Sequence, residues 1–327
     1  MTATKHKRLI VIVGPTAIGK TAMAIRLAQH YGTEIISADS RQFYKELKIG
    51  VAAPSDAELA AVPHHFIGHL SIHDYYNASR FEKDAIQKIT SLFEKHDIVV
   101  MTGGSGLYID AVCNGIDELP DPPPELRAEL QTLFQQEGIE ALQKLLQTHD
   151  PEYYRTVDTK NPARLLRALE VCITAGQPYS TLRTQSLEER PFEVILIGLH
   201  CERALLNERI HRRVDAMLAS GLLDEVEQLF PLRHLNALNT VGYKELFAWK
   251  EGKISFEQAV EDIKTNTRRY AKRQMTWFRK NQGIRWEYWD ADDADCHNNI
   301  SAITSSLRQK KKDNPCVSII FLSLPKM

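Results

Sequence analysis

The segment Gly14-Pro-Thr-Ala-Ile-Gly-Lys-Thr21 constrains the fold of this chain more than any other feature. It matches G-x-x-x-x-G-K-[ST] and lies between an apolar, largely β-branched run at residues 9–13 and a helix predicted at residues 20–30. In that setting Gly19 lets backbone N–H groups face phosphate oxygens, Lys20 neutralises phosphate charge, and the Thr21 hydroxyl can ligate Mg²⁺. A chance glycine-rich turn is the alternative, and the strand–loop–helix context favours binding of a polyphosphate. The loop alone does not tell which polyphosphate binds.

Strands and helices alternate around this loop. Further strands are predicted at residues 34–37, 98–101 and 194–199, and the alternation indicates an α/β fold with a P-loop parallel-sheet core and right-handed crossovers. Ser79 and Glu82 have capping-box spacing, which predicts that a helix opens there. After the strand at 194–199 we expect helices near 203–219, 222–230, 240–250 and 255–280, and a last strand at 283–290.

A helical insertion interrupts the alternation. The proline-rich segment 119–124 cannot be helix or central strand and marks a boundary, and residues 125–137, 139–147 and 161–175 are then predicted as helices. We therefore expect a discontinuous catalytic core at residues 1–118 and 193–327 and a helical insertion domain at residues 119–192. Residues 291–313 are polar and irregular, and the apolar run at 317–322 has no assigned role.

Composition limits the classes of function. The 327 residues carry a formal net charge of −1, so RNA binding would need a local basic surface. The five cysteines are widely spaced and form no C-x-x-C pair, which is typical of a reducing cytoplasm. The apolar run after the basic N-terminus is too short for a signal sequence or a membrane span.

A basic stretch at residues 264–280 contains seven Lys or Arg and no acid. Lys272 and Arg273 lie in it, and we expect part of its basic face to contact RNA phosphates. Tyr270 and Trp277 share one helix face, and we expect both to face the core. The alternative is an ordinary solvated helix face.

Four histidines, at positions 64, 65, 69 and 73, invite a metal interpretation. Pro63 and Gly68 break the helix that would align the spacing of four. His64 and His65 are therefore predicted to be structural hydrogen-bonding residues.

A carboxylate follows the second strand, whereas the third strand ends in Thr102-Gly-Gly104 without one. P-loop ATPases place an acidic Mg²⁺ ligand on a later strand. Because the carboxyl ends of parallel strands face the ligand crevice, Asp39 should lie near the phosphate loop, where it could abstract a proton from an acceptor. The alternative role for Asp39 is a helix cap or turn residue.

Several motifs occur in a fixed order over residues 8–290, and together they resemble the tRNA dimethylallyltransferase (isopentenyltransferase) family. They are the phosphate loop, Ser37-Ala-Asp-Ser40 with Gln42 and Tyr44, Pro63-His-His65, Gly103-Gly-Ser-Gly-Leu-Tyr108, Arg164-Leu-Leu-Arg-Ala-Leu-Glu170, Val241-Gly-Tyr243 and Ala271-Lys-Arg-Gln-Met-Thr-Trp277. Residues from about 308 onward have no recognised counterpart.

The resemblance implies a loop that binds dimethylallyl diphosphate with Mg²⁺. The diphosphate-binding positions would be Gly14, Thr16, Ala17, Ile18, Gly19, Lys20 and Thr21, with Thr21 on the metal. Asp39 would be the general base, and Arg213 would contact the diphosphate. The positions that meet tRNA would be Asp39, Ser40, Arg41, Gln42, Ser105, Arg127, Arg164 and Arg167, to which the basic stretch adds Lys272 and Arg273.

The function implied is transfer of a dimethylallyl group to the exocyclic amine of the adenosine next to the anticodon in tRNA. Partners would be the tRNA anticodon loop and dimethylallyl diphosphate, with no membrane, and we expect a cytoplasmic monomer. A P-loop small-molecule kinase and a prenyltransferase of free adenylate are the alternatives. A non-catalytic RNA-binding protein that uses the loop as a ligand sensor is a further one.

Overall fold

The computed structural model of the 327-residue chain describes residues 7–184 and 188–290. These residues form two compact units, one of residues 7–114 with 189–290 and one of residues 115–184 with Glu188. The segments discussed above at 291–313 and 317–322 lie outside the described residues. The assignment of the two parts to catalysis and to RNA contact stays a prediction.

The first unit is built on a six-stranded sheet in the order β3-β2-β4-β1-β5-β6. Every adjacent pair is parallel, which confirms the predicted α/β fold with a parallel sheet. The strands are β1 (Arg8–Val13), β2 (Ile35–Ser37), β3 (His64–His65), β4 (Ile98–Thr102), β5 (Glu193–His200) and β6 (Arg285–Tyr288).

Helices connect the strands and form the second unit. In chain order they are α1 (Lys20–Tyr31), α2 (Asp56–Ala61), α3 (Ala78–Phe93), α4 (Gly106–Asn114), α5 (Pro124–Glu137), α6 (Ile139–His149), α7 (Pro151–Thr156), α8 (Pro162–Ala175), α9 (Tyr179–Leu182), α10 (Arg203–Ala219), α11 (Leu222–Leu229), α12 (Tyr243–Lys250) and α13 (Phe256–Phe278). In the described part of the chain, no helix combines the length and apolar character needed to cross a membrane.

Strand β1 occupies the centre of the sheet because both of its faces are apolar. Leu9, Val11 and Val13 pack with α3 and α4, whereas Ile10 and Ile12 pack with α1 on the opposite face. Alternate side chains of a strand point to opposite faces, so a continuous apolar run suits a strand covered on both sides. This burial fixes the carboxyl end of β1, from which the phosphate loop starts.

Strand β3 was not predicted as a strand because it has two residues, His64 and His65, paired with Ile35 and Ile36. His64 Nδ1 lies 2.8 Å from the carbonyl oxygen of Val62, and His65 Nε2 lies 2.5 Å from Glu34 Oε2. Both histidines are thus hydrogen-bonded, as the sequence suggested. The last strand is shorter than predicted, since β6 pairs with β5 only over Arg285–Tyr288.

The predicted capping box at Ser79 is wrong. Helix α3 begins at Ala78, and its N-cap is Asn77, whose side chain accepts a hydrogen bond from the Arg80 N–H. Asparagine caps a helix as well as serine does, and here it comes two residues earlier. Glu82 instead forms an ion pair with Arg190.

The second unit has its own core of leucines from α5, α6 and α8, namely Leu130, Leu142, Leu146, Leu165 and Leu169. Pro124, predicted to lie outside a helix, is the first residue of α5, where its missing N–H would have no helical partner in any case. Buried Asp150 caps α7 by accepting from the Tyr153 N–H, and its other oxygen accepts from the Ser180 N–H. The left-handed Gly176 ends α8, as predicted.

Candidate active site

The phosphate loop turns sharply between the end of β1 and the start of α1. Gly19 has φ 98°, and Ala17 adopts φ 65°, a left-handed conformation that is costly for a residue with a side chain. At Gly14 a Cβ atom would lie only 2.8 Å from the carbonyl oxygen of Leu199, so only glycine fits there. Strained backbone of this kind clusters at ligand sites, and successive N–H groups in such turns form an anion-binding concavity.

Two partly buried cations converge at this loop. Burial lowers the pKa of Lys20 from 10.5 to about 8, Asp39 opposes the shift, and Arg213 adds to it. Arg213, on α10, has Nη1 3.4 Å from Thr16 Oγ1, and burial lowers its pKa as well. Lys20 Nζ donates to the carbonyl oxygen of Pro15 at 2.9 Å. Because burial of a cation is unfavourable without an anionic partner, this pair indicates a site for an anion.

Asp39 lies two residues beyond β2, and its negative charge raises the pKa of both Lys20 and Arg213, against the effect of burial. Its Oδ1 accepts from the Arg41 N–H at 3.1 Å, so the turn role considered from the sequence is present. Its Oδ2 lies 3.9 Å from the position that a Cβ on Gly104 would take. The structure thus places the carboxylate near the phosphate loop, with one oxygen fixed in a turn and the other on the side of the β4 loop.

The segment after β4 closes the site from the other side. A Cβ on Gly103 would lie 2.2 Å from the carbonyl oxygen of Ala38, so the two strand ends meet only because Gly103 has no side chain. Ser105 Oγ accepts from the Ser40 N–H at 2.9 Å and donates to Ser40 Oγ at 3.0 Å. These contacts hold the residues around Asp39 against the β4 loop.

Gln274 on α13 belongs to the site and was missed by the sequence analysis. Its Oε1 accepts from the Thr16 N–H at 2.8 Å, and its Nε2 donates to the carbonyl oxygen of Gly104 at 3.0 Å. It is buried on the same helix face as Ala271 and Phe278. A polar residue within that apolar stripe is the signal that could have found it, since buried amides need partners.

The predicted orientation of Trp277 is wrong. We expected its side chain to face the core, but the side chain is 41% exposed. Tyr270 on the same helix face is partly buried, and burial, followed by the Asp39 charge, raises its pKa. Seven residues do return to one face, but Trp277 lies at the end of α13, where the helix passes the edge of α4 and the core no longer covers it.

The residues predicted to contact RNA differ in their hydrogen bonds and in their exposure to solvent. Arg41 donates to the carbonyl oxygens of Asn236 and Ala237 at 3.0 and 3.1 Å, and Gln42 Nε2 donates to that of Ala52 at 2.9 Å. In this structure both side chains therefore form hydrogen bonds to backbone carbonyl groups of neighbouring loops. Lys272 and Arg273 lie on the exposed side of α13.

Within the second unit, two of the three predicted arginines contact one buried carboxylate. Arg127 Nε donates to Glu170 Oε1 at 2.8 Å, and Arg167 Nη1 lies 3.6 Å from Glu170 Oε2. Arg164, one turn earlier on α8, is exposed. The roles of all these residues in binding RNA stay predictions.

Comparisons with known proteins show which family the chain resembles. The model of the family described as IPP transferase matches residues 42–281. A tRNA dimethylallyltransferase of Christiangramia forsetii is 55% identical over 86% of this chain and 93% of its own length. The crystal structure of a tRNA isopentenylpyrophosphate transferase from Bacillus halodurans is 33% identical, with TM-score 0.67 over 94% of this chain and 98% of that one. The structure of a eukaryotic dimethylallyltransferase acting on tRNA is 25% identical, with TM-score 0.76 over 96% of this chain and 81% of that one.

Fold and site define a P-loop protein that holds a carboxylate beside its phosphate loop. With a family model across most of its length and a relative at 55% identity, the chain belongs to the tRNA dimethylallyltransferase family. The resemblance recognised in the sequence motifs is confirmed, and so is the expectation of a prenyl-transferring enzyme.

Proposed function

We propose that this chain transfers a dimethylallyl group from dimethylallyl diphosphate to the exocyclic amine of the adenosine next to the anticodon in tRNA, releasing diphosphate. The observation that carries the proposal is the position of Asp39. Its negative charge favours the charged forms of Lys20 and of Arg213, the two cations that meet at the phosphate loop. A proton acceptor therefore stands beside the site of an anionic leaving group.

The leaving group sets the first requirement. As the bond from the first prenyl carbon to the diphosphate oxygen breaks, negative charge accumulates on the diphosphate. The N–H groups of residues 17–21, the Lys20 ammonium and the Arg213 guanidinium stabilise that charge, and they are fixed in place before the reaction. Gln274 holds the Thr16 end of the loop in position.

The nucleophile sets the second requirement. The adenine amine is weakly nucleophilic because its lone pair is delocalised into the ring. As nitrogen bonds to the prenyl carbon, the amine loses a proton, and Asp39 Oδ2, on the side of Gly104, accepts it. Oδ1 stays bonded to the Arg41 N–H and orients the carboxylate.

Mg²⁺ is the cofactor that we propose, and the residues present fit it. Within the described ranges, no group of three or more His, Cys, Asp or Glu side chains could hold a metal ion. Mg²⁺ needs no such group, because it takes most of its ligands from phosphates and water and few from protein. The Thr21 hydroxyl, in the first turn of α1, would hold it. When bound, Mg²⁺ would neutralise charge on the diphosphate.

Access to the amine requires an unstacked base. A stacked adenine hides its edge, so the target must leave the anticodon loop and enter the crevice at the Asp39 edge of the sheet. We propose that three groups of residues hold the RNA: the strand-end residues Ser40, Arg41, Gln42 and Ser105; the α13 residues Lys272 and Arg273; and, in the insertion, Arg127, Arg164 and Arg167. The tRNA substrate of the relatives supports this assignment and a cytoplasmic site of action, and we propose a monomer as the working form.

A transfer assay tests the proposal. The protein is incubated with Mg²⁺ and dimethylallyl diphosphate labelled in the prenyl group, and the acceptor is total tRNA, AMP or ADP. We expect label in tRNA only, at the adenosine next to the anticodon after nuclease digestion. Label in AMP or ADP but not in tRNA would assign the chain to free adenylate. Tight ATP binding with phosphate transfer, and no binding of the prenyl donor, would assign it to the kinases.

A further inference from the structure

Trp277 is exposed to solvent, and yet its ring is hydrogen-bonded. Its indole Nε1 donates to Asp110 Oδ2 at 2.8 Å, although 41% of the side chain is accessible to solvent. A Cβ on Gly106 would lie 2.4 Å from the indole Cδ1, so the ring packs closely over a residue that has no side chain. A large aromatic surface exposed to water but fixed in orientation is typical of a binding surface rather than of a core residue.

The position of this ring ties it to the reaction site. Gly106 follows Ser105, whose hydroxyl is bonded to Ser40 beside Asp39. Gln274, three residues before Trp277 on α13, contacts the phosphate loop and the carbonyl oxygen of Gly104. The ring thus lies at the same edge of the sheet as the Asp39 carboxylate, the proposed acceptor of the amine proton.

The surroundings of the ring select the chemistry of its partner. Leu107, next to Gly106, is 49% exposed and extends the apolar surface. Arg273, one turn before Trp277, and Lys280, just beyond the end of α13, are exposed cations. An exposed aromatic face with cations at its rim matches an unpaired nucleobase and its phosphates.

We propose that Trp277 is a stacking platform for one of the two nucleotides that flank the target adenosine in the RNA, and that it thereby favours RNAs in which that neighbour is unpaired. This inference rests on the proposed function for the identity of the RNA. Asp110 acts as a positioning residue, because its hydrogen bond sets the plane of the ring. Base stacking on an aromatic side chain is sequence-tolerant, so the platform reads an unpaired base rather than its identity.

The test measures RNA binding without turnover. The probe is an anticodon stem–loop RNA with adenosine directly after the anticodon, and each of the two flanking nucleotides is replaced in turn by an abasic residue. Trp277→Ala should weaken binding of the intact RNA roughly 5- to 100-fold, whereas Trp277→Phe, which keeps an aromatic face, should recover most of the affinity. Tyr288→Ala, at another exposed aromatic, on β6, is the matched control and should change nothing. Donor affinity and melting temperature are measured on every variant.

Coupling between protein and RNA decides the mechanism. For one of the two abasic RNAs, the affinity of the wild-type protein should fall by the same factor that Trp277→Ala causes on intact RNA. The affinity of Trp277→Ala for that abasic RNA should be no lower than its affinity for intact RNA. The proposal would be overturned if Trp277→Ala lowered the affinity for both abasic RNAs equally, or if Trp277→Ala bound intact RNA normally. A change confined to the sedimentation of the variant would assign the surface to a second copy and would also overturn it. Coupled binding without any prenyl transfer would instead contradict the proposed function and leave the platform standing.

Discussion

Replacing Lys20 with methionine should raise the free energy of unfolding at pH 7, although it removes the ammonium that the donor diphosphate needs. Burial lowers the pKa of Lys20 from 10.5 to about 8 even though Asp39 attracts its charge. Each pKa unit corresponds to about 1.4 kcal/mol, so the charged form at pH 7 costs the folded state about 3 kcal/mol. The variant also loses the hydrogen bond to Pro15, worth about 1 kcal/mol. We therefore expect a net gain of about 1–2 kcal/mol, or a melting temperature several degrees higher.

The pH dependence gives the sign of the effect. Because the folded-state pKa of Lys20 lies below its unfolded value, the folded protein binds fewer protons than the unfolded chain between pH 8 and 10.5. The destabilisation is therefore fully present below pH 8 and fades as the pH rises to 10.5. The stability difference between Lys20→Met and wild type should shrink over the same window.

Urea unfolding at pH 7 and pH 10, with calorimetric titration of dimethylallyl diphosphate, measures both effects. The exposed Lys95, at the end of α3, provides the matched control, and Lys95→Met should change neither stability nor donor affinity appreciably. A Lys20→Met protein that is less stable than wild type at pH 7 would show that the buried charge of Lys20 does not destabilise the fold. So would a stability difference that does not depend on pH.

Three further variants test the role of Gln274, the cations of α13 and the C-terminal residues. Gln274→Leu removes the two hydrogen bonds that join the phosphate loop to the β4 loop, so donor affinity measured by calorimetry should fall while tRNA affinity changes little; unchanged donor affinity would exclude the positioning role. The double change Lys272→Ala with Arg273→Ala should flatten the salt dependence of tRNA binding by about one unit of slope per lost phosphate contact, and an unaltered slope would assign this face to solvent alone. Deletion of residues 308–327, which lie outside the described residues, should leave prenyl transfer intact, and loss of transfer in a folded truncation would show that the segment completes the site.

The phosphate loop could be predicted from sequence because its structure is local. One apolar run, two glycines, Lys20 and Thr21 determine a strand, a turn and a helix start within about twenty residues, and the structure has them there. The position of Asp39 followed from a general rule, since the carboxyl ends of parallel strands share one edge. That rule gives proximity but not the orientation of the carboxylate, which the Arg41 N–H sets.

The contacts that sequence reasoning missed are distant along the chain. Gln274 meets Thr16 across 258 positions, and no local pattern specifies which buried amide finds which backbone group. The exposure of Trp277 depends on where α13 passes α4, a matter of tertiary packing that helical periodicity cannot give. The N-cap at Asn77 was not predicted for a different reason. Asn77 and Ser79 are both capping residues, and the helix begins after the earlier one.

Single-turnover prenyl transfer by Asp39→Asn shows whether the Asp39 carboxylate is the general base. The change preserves size and one acceptor oxygen but removes the basic carboxylate, and loss of a general base typically lowers the rate by about two to four orders of magnitude. Donor affinity should not fall, because the carboxylate is not a diphosphate ligand and its removal relieves repulsion of that anion. The melting temperature, measured on the same preparation, should stay close to that of wild type. A near-normal transfer rate would remove Asp39 from the mechanism, and a loss of donor binding together with rate would make it a metal ligand or a structural cap instead.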